Sequence, residues 1–121
     1  MTQTSNRGAR ALAALLRPDF YRALCDPTRL SILVWLAARR EASSVSDVAG
    51  SGCCRVDLSV VSRHLAVLRD AGILESARRG KEVLYRVRTE RIVQTLRDLA
   101  DAIETCCPVR GAFPEEPRRP R

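Results

Sequence analysis

Apolar residues recur along this chain at two different periods, and the change of period divides it. From Ala9 to Leu24 they come at helical spacing, with Pro18 as a break. Asp26-Pro27 then has the form of an N-cap followed by proline at the first helical position. Leu30, Leu33, Val34 and Ala37 fall on one stripe, which predicts an amphipathic helix from Pro27 to about Arg39. The stretch SSVSDVAG predicts a short helix capped by Ser44 and closed by Gly50. Asp57 stands where a cap is needed for the next helix, in which Leu58, Val61, Leu65 and Leu68 share a stripe and Gly72 ends the run. These last two helices and the turn between them have the form of a helix-turn-helix.

Past Gly72 the period falls to two. Val83, Tyr85 and Val87 alternate with Leu84 and Arg86, and Gly80 marks a turn, so residues 73–87 predict a β-hairpin. Helical spacing returns after Thr89. There Ile92, Leu96, Leu99 and Ile103 form a narrow stripe suited to helix–helix dimerisation, and Pro108 stops the helix. A chain of 121 residues buries a thin core, which sharing across a dimer would help.

Charge adds a partner to this picture. The net charge is +7, from 21 basic and 14 acidic residues, and Lys81 is the only lysine. Arginine suits bidentate phosphate and guanine contacts, so a polyanion, most simply double-stranded DNA, is the expected partner. The polar front of the helix after Asp57 carries Ser59, Ser62, Arg63 and Ala66, small or hydrogen-bonding residues of the kind that major-groove reading needs. A solvated surface helix more often carries glutamate and lysine there. Arg78, Arg79 and Lys81 crowd the hairpin tip, and directly after a reading helix such a tip acts as a wing that holds phosphate. No stretch approaches the ~20 apolar residues of a membrane span. The run ALAALL at 11–16 has no cleavage site after it, so a cytoplasmic chain without a membrane partner is expected.

Five cysteines complete the chemistry, four of them in two adjacent pairs. Neighbouring cysteines close a strained ring if bridged, so they make a poor structural framework. In a reducing compartment, clustered thiols mean metal binding or redox chemistry. Cys25 reads as a buried small hydrophobe. Cys53 and Cys54 lie in a Gly/Ser loop that is expected to be flexible and exposed, with Arg55 and a helix N-terminus favouring the thiolate. Cys106 and Cys107 flank the stripe of the last helix and read as the rim of a site.

Three blocks, ALCDPTRLSIL, VVSRHLAVLRDAGIL and RRGKEVLYRV, together closely resemble the ArsR/SmtB family of metal-responsive repressors, over roughly residues 18–107. The resemblance implies a fold that is mainly α with a small β-hairpin, a winged helix-turn-helix homodimer joined through its first and last helices. The polar residues 1–8 are expected to form a flexible N-terminus and the Pro/Arg-rich 108–121 a disordered tail, which leaves 9–107 as the DNA-binding and dimerisation domain. The resemblance also implies repression of a metal- or metalloid-resistance operon, with release of a palindromic operator when inducer binds. The recognition helix would run from Asp57 to Ala71, with DNA contacts from Ser59, Ser62, Arg63 and His64, and with Arg78, Arg79 and Lys81 on phosphate.

Two departures redirect the inducer site. Many arsenic sensors of the family carry Cys-x-Cys where this chain has Ser44-Val45-Ser46-Asp47. The zinc sensors of the family use histidines and carboxylates of the last helix, and the single histidine here is His64, outside that helix. The expected site is therefore Cys53 and Cys54 joined by Cys106 and Cys107, with one subunit's last helix completing its partner's loop. All-sulfur ligation selects thiophilic ions over magnesium, manganese or nickel. Trivalent arsenic, as arsenite or a related arsenical or antimonite, is the expected inducer. Mercury, cadmium or lead, or a thiol–disulfide switch on the same fold, is the alternative. An enzyme is not expected, because GSGCCR lacks the phosphate-cradling residues that an arsenate reductase would want around its nucleophile.

Overall fold

The computed structural model describes residues 2–106 and 111–114, with side chains from Arg7 onward. Among the described residues the order is α1 (Thr2–Leu15), α2 (Pro18–Ala23), α3 (Pro27–Ala37), β1 (Ser43–Ser44), α4 (Val45–Gly50), α5 (Leu58–Asp70), β2 (Leu74–Arg79), β3 (Glu82–Val87) and α6 (Thr89–Cys106). Helix α1 begins at Thr2 rather than Ala9, so the residues expected to form a loose N-terminus enter a helix. Pro18 opens α2 instead of kinking one long helix, because its missing N–H is harmless at a first position. Cys107 and most of the 108–121 tail lie outside the described residues.

Local capping sets the helix starts. Asp26 accepts the Arg29 backbone N–H at 2.9 Å ahead of Pro27. Ser44 and Asp47 form a reciprocal capping box, each side chain accepting the other's backbone N–H at 3.1 and 3.0 Å. Both carboxylates are held below the ordinary value of 3.8, Asp26 chiefly by the Arg29 N–H and Asp47 chiefly by the Ser44 N–H. A carboxylate lowered in the folded state stabilises fully above its unfolded pKa and ceases to as pH falls through the folded one. Asp47→Ala therefore melts below the parent at pH 7, and the gap narrows as pH falls below 3.8 and through the lowered titration of the carboxylate. Thermal melts of both proteins across that range check it; a gap that persists in acid would assign the effect to something other than the carboxylate.

Helix α5 is the hub. Val61, Leu65 and Leu68 on its inner face are fully buried, alongside Ile32 and Leu36 of α3, Val48 of α4, Ile73 and Leu74, Tyr85 of β3, and Phe20 and Ala23 of α2. Leu58 does not continue that stripe: it sits on the first turn and is 53% exposed. Asp57 makes no side-chain cap, although its carbonyl accepts the Val60 and Val61 N–H groups at 3.0 Å.

The largest departure from the apolar pattern is in α3. Ile32 and Leu36 face the core, whereas Leu30 and Val34 of the expected stripe are 43% and 69% exposed, and Ala37 is exposed too. The helix reads PTRLSILVWLA, apolar almost all the way round, so its sequence does not choose a face. The choice is made by what packs on it, namely α5 and β3.

β2 and β3 pair antiparallel from Leu74↔Val87 to Arg79↔Glu82, leaving Gly80 and Lys81 as a two-residue turn. Gly80 has φ +64° while Lys81 does not have a positive φ, the pattern of a II′ hairpin turn. A third strand is not predicted by the apolar pattern. β1 pairs Ser43 with Tyr85 and Ser44 with Leu84, giving the sheet order β1-β3-β2. Two buried serines carry no strand propensity; the free edge of β3 recruits them.

Helix α6 packs on α1 and buries none of its residues fully. Ile92 reaches the core, but Leu96 is 47% and Ile103 43% exposed.

Candidate DNA-reading surface and thiol site

Helix α5 presents Ser59, Ser62 and Arg63 to solvent on the face opposite its buried stripe, with Ala66 half-buried beside them. The wing tip places Arg78, Arg79 and Lys81 in the open. None of Arg63, Arg78, Arg79 and Lys81 forms a salt bridge among the described residues, so their charge is available to an external anion. A cleft of about 290 Å³ is lined by Ser44, Val45 and Ser46 at the start of α4, Ser62 of α5, and Lys81–Val83 and Tyr85 of the wing. It thus brings together two of the expected DNA contacts, Ser62 and Lys81. His64 does not join that front. It is half-buried, with Nδ1 3.4 Å from Nη1 of Arg29 on α3.

The cysteines are arranged differently from the expectation. Cys25 is exposed rather than buried, its Sγ donating to the Tyr21 carbonyl at 3.1 Å. The loop after α4 is tied down. Ser51 Oγ donates to the Val48 carbonyl at 2.6 Å and accepts the Cys53 N–H at 3.1 Å, and Gly52 takes a φ of +78°. Cys53 and Cys54 are half-buried against the core, with their sulfurs 3.7 Å apart and Cys53 Sγ also 3.7 Å from the Val48 carbonyl. Burial, and then the neighbouring Cys53 thiol, push the Cys54 thiol above the ordinary value of 9.0. Thiolate formation there is disfavoured, the reverse of the expectation, because desolvation by burial is the largest effect and a hydrogen bond from the Val56 N–H only partly offsets it.

Cys106 is half-buried at the end of α6, where its Cα and Cβ are 3.7 Å from the position a Cβ on Gly8 of α1 would take. A side chain at Gly8 would be in ordinary contact there. Among the described residues no group of three His, Cys, Asp or Glu is placed to hold a metal ion. One chain thus brings Cys53 and Cys54 together and does not add Cys106; Cys107 lies outside the described residues.

No family model matches the sequence. The chain is, however, 33% identical over 99 residues to a probable mercury resistance operon repressor of Streptomyces lividans, covering 76% of each chain. An ArsR-like transcriptional regulator from Rhodococcus sp. RHA1 superposes with a TM-score of 0.60 at 30% identity, over 77% of this chain and 79% of that one. The chain belongs to the ArsR/SmtB family. It is also 37% identical over 78 residues to the arsenical resistance operon repressor of Escherichia coli K12, covering 63% of this chain and 62% of that protein. The ArsR/SmtB family consists of DNA-binding transcriptional repressors rather than enzymes. Among the described residues of this ArsR/SmtB chain, no helix is long and apolar enough to cross a membrane.

One contact behind the outer face of α5 escapes the sequence pattern. Besides meeting His64, Arg29 donates from Nε to the Ala23 carbonyl at 2.8 Å and from Nη2 to the Arg22 carbonyl at 3.2 Å. One guanidinium therefore satisfies carbonyls at the end of α2 while abutting His64 of α5. The cap DPTR marks the position of Arg29, but nothing local signals partners on two other helices.

Proposed function

We propose that this protein is a homodimeric repressor of a metalloid-resistance operon. It grips a palindromic operator with α5 and the wing, and lets go when trivalent arsenic bonds its cysteines. The observation that carries the inducer reading is the 3.7 Å Cys53–Cys54 sulfur pair, held against the core immediately before the recognition helix. Two thiols serve two of the three pyramidal positions of trivalent arsenic. The third falls to Cys106 or Cys107, delivered by the α6 end of the partner subunit. The half-exposed Leu96 and Ile103, in the stripe with Ile92 and Leu99, support pairing through α6. Ser59, Ser62, Arg63, Arg78, Arg79 and Lys81 contact DNA, and His64 acts from behind by bracing α5 on Arg29.

Bond formation at Cys53 and Cys54 pulls on the loop that leads into α5. The ligand acts through its differential affinity for the DNA-bound and free dimer shapes, a coupling of about 1–3 kcal/mol in typical cases. The likeness to a mercury resistance repressor keeps mercury(II), which is content with two thiolates, as the second reading.

Cys54→Ser is expected to bind operator like the parent and to need at least about tenfold more arsenite for release. Fluorescence anisotropy on a duplex selected by the purified protein, under strong anaerobic reductant, reads both. Parent-like release by the variant would remove Cys54 from the site. Failure of the parent to respond to arsenite, with response to mercury(II), would select the second reading. Response only to oxidant would select a disulfide switch.

A further inference from the structure

We infer that Leu58, on the first turn of α5, reads the C5-methyl group of a thymine in the major groove and so helps to set which operator the protein selects. This deepens the reading above, in which α5 grips the operator, and rests on it.

The apolar pattern puts Leu58 on one stripe with Val61, Leu65 and Leu68, and the structure separates it from them. Those three are fully buried, whereas Leu58 is 53% exposed and lies outside the core cluster. A single exposed leucine on an ordinary surface asks for no explanation. This one opens the second helix of a helix-turn-helix, and the N-terminal residues of such a helix meet base edges when it docks in the groove.

The neighbours of Leu58 supply the rest of a thymine contact. On a helix, residue 62 lies one turn beyond residue 58 on the same side. Ser62 is exposed, and neither its hydroxyl nor that of Ser59 has a hydrogen-bond partner among the described residues. The hydroxyls of Ser31, Ser44 and Ser51, by contrast, are all engaged. Thymine shows the major groove an O4 acceptor and a C5-methyl group. A free hydroxyl and a leucine side chain one turn apart match those two features. Cytosine presents an N4 donor and no methyl at the same edge. Phosphate is the wrong partner for this corner. Asp57 precedes Leu58 with a carboxylate that caps nothing, and Arg63 is the only arginine or lysine from residue 57 to residue 65.

Seating the leucine on the methyl removes apolar surface of both groups from water. Burial of one methyl group corresponds to about a three- to fivefold gain in affinity for each half-site. A two-fold operator with that thymine in both halves multiplies the gain to about tenfold or more.

The full-length protein under reductant is titrated by fluorescence anisotropy with a duplex selected by the purified parent. Each thymine of the half-site is replaced in turn, in both halves, by deoxyuridine, which removes the methyl and keeps O4 and the base pair. One position is expected to weaken the parent about tenfold or more. Leu58→Ser is expected to keep the parent's circular dichroism and to bind the unmodified duplex about tenfold more weakly. It is also expected to lose the deoxyuridine response at that position alone. With C·G in place of T·A there, 5-methylcytosine is expected to recover affinity for the parent and not for the variant.

A parent indifferent to every deoxyuridine overturns the contact, as does a deoxyuridine response that survives Leu58→Ser. Equal weakening of Leu58→Ser on all duplexes, with that response intact, would assign the side chain to packing and overturns it too. If Leu58 fails these tests while Arg63→Ala relaxes base preference, α5 still reads the operator and only this contact is wrong. If neither substitution alters base preference, the α5 reading itself fails.

Discussion

Replacing Leu96 and Ile103 together by aspartate is expected to yield a folded monomer that binds operator about 10²- to 10⁴-fold more weakly than the parent. Both side chains are more than 40% exposed in the single chain, and neither belongs to the buried core. Two carboxylates on that surface therefore leave the subunit's own packing intact. In a dimer interface they would be buried without partners, which association cannot support. The loss on DNA follows from geometry. A palindrome is read by two recognition helices, and linking them makes the second contact intramolecular. Sedimentation gives the oligomeric state, circular dichroism the fold, and anisotropy the affinity. A variant that remains dimeric would move the interface away from α6.

Arg63→Ala is expected to weaken operator binding by about 1–3 kcal/mol, roughly 5- to 150-fold, whatever the inducer, and to relax preference at the base pair it reads. Arg63 is exposed, unpaired among the described residues, and on the same outer face as Ser59 and Ser62. Its removal costs the fold little because the opposite face of α5 does the packing. Lys81→Ala provides the contrast. A wing lysine on phosphate carries no sequence information, so its loss weakens all duplexes alike and lowers the salt slope by about 1. Salt-dependent titrations on matched and mutated duplexes separate the two. A uniform loss for Arg63→Ala would make it another phosphate contact.

The ArsR/SmtB assignment and the thiol site differ in how far the linear chain reveals them. Asp26-Pro27, Ser44 with Asp47, Gly72 and Gly80 act on backbone within a few residues, so the starts of α3 and α4, the end of α5 and the hairpin turn are legible directly. The helix-turn-helix and the wing follow from their order. The buried face of α5 is legible for the same reason at Val61, Leu65 and Leu68, whereas Leu58 of the same stripe is exposed.

What the sequence determined by itself, then, is the order of the main helices and the hairpin, the polar outer face of α5 and the basic hairpin tip, because each is encoded by local capping, periodicity or charge. Only the tertiary structure decided which side of α3 is inside, for a helix apolar all round has no preference until α5 and β3 pack on it. It also decided that Ser43 and Ser44 extend the sheet, that Cys25 is exposed and that His64 faces Arg29. The same packing turned the Cys53–Cys54 loop from an open, thiolate-favouring segment into a half-buried pair of thiols. Burial and desolvation depend on neighbours far along the chain, and no short stretch of sequence contains them.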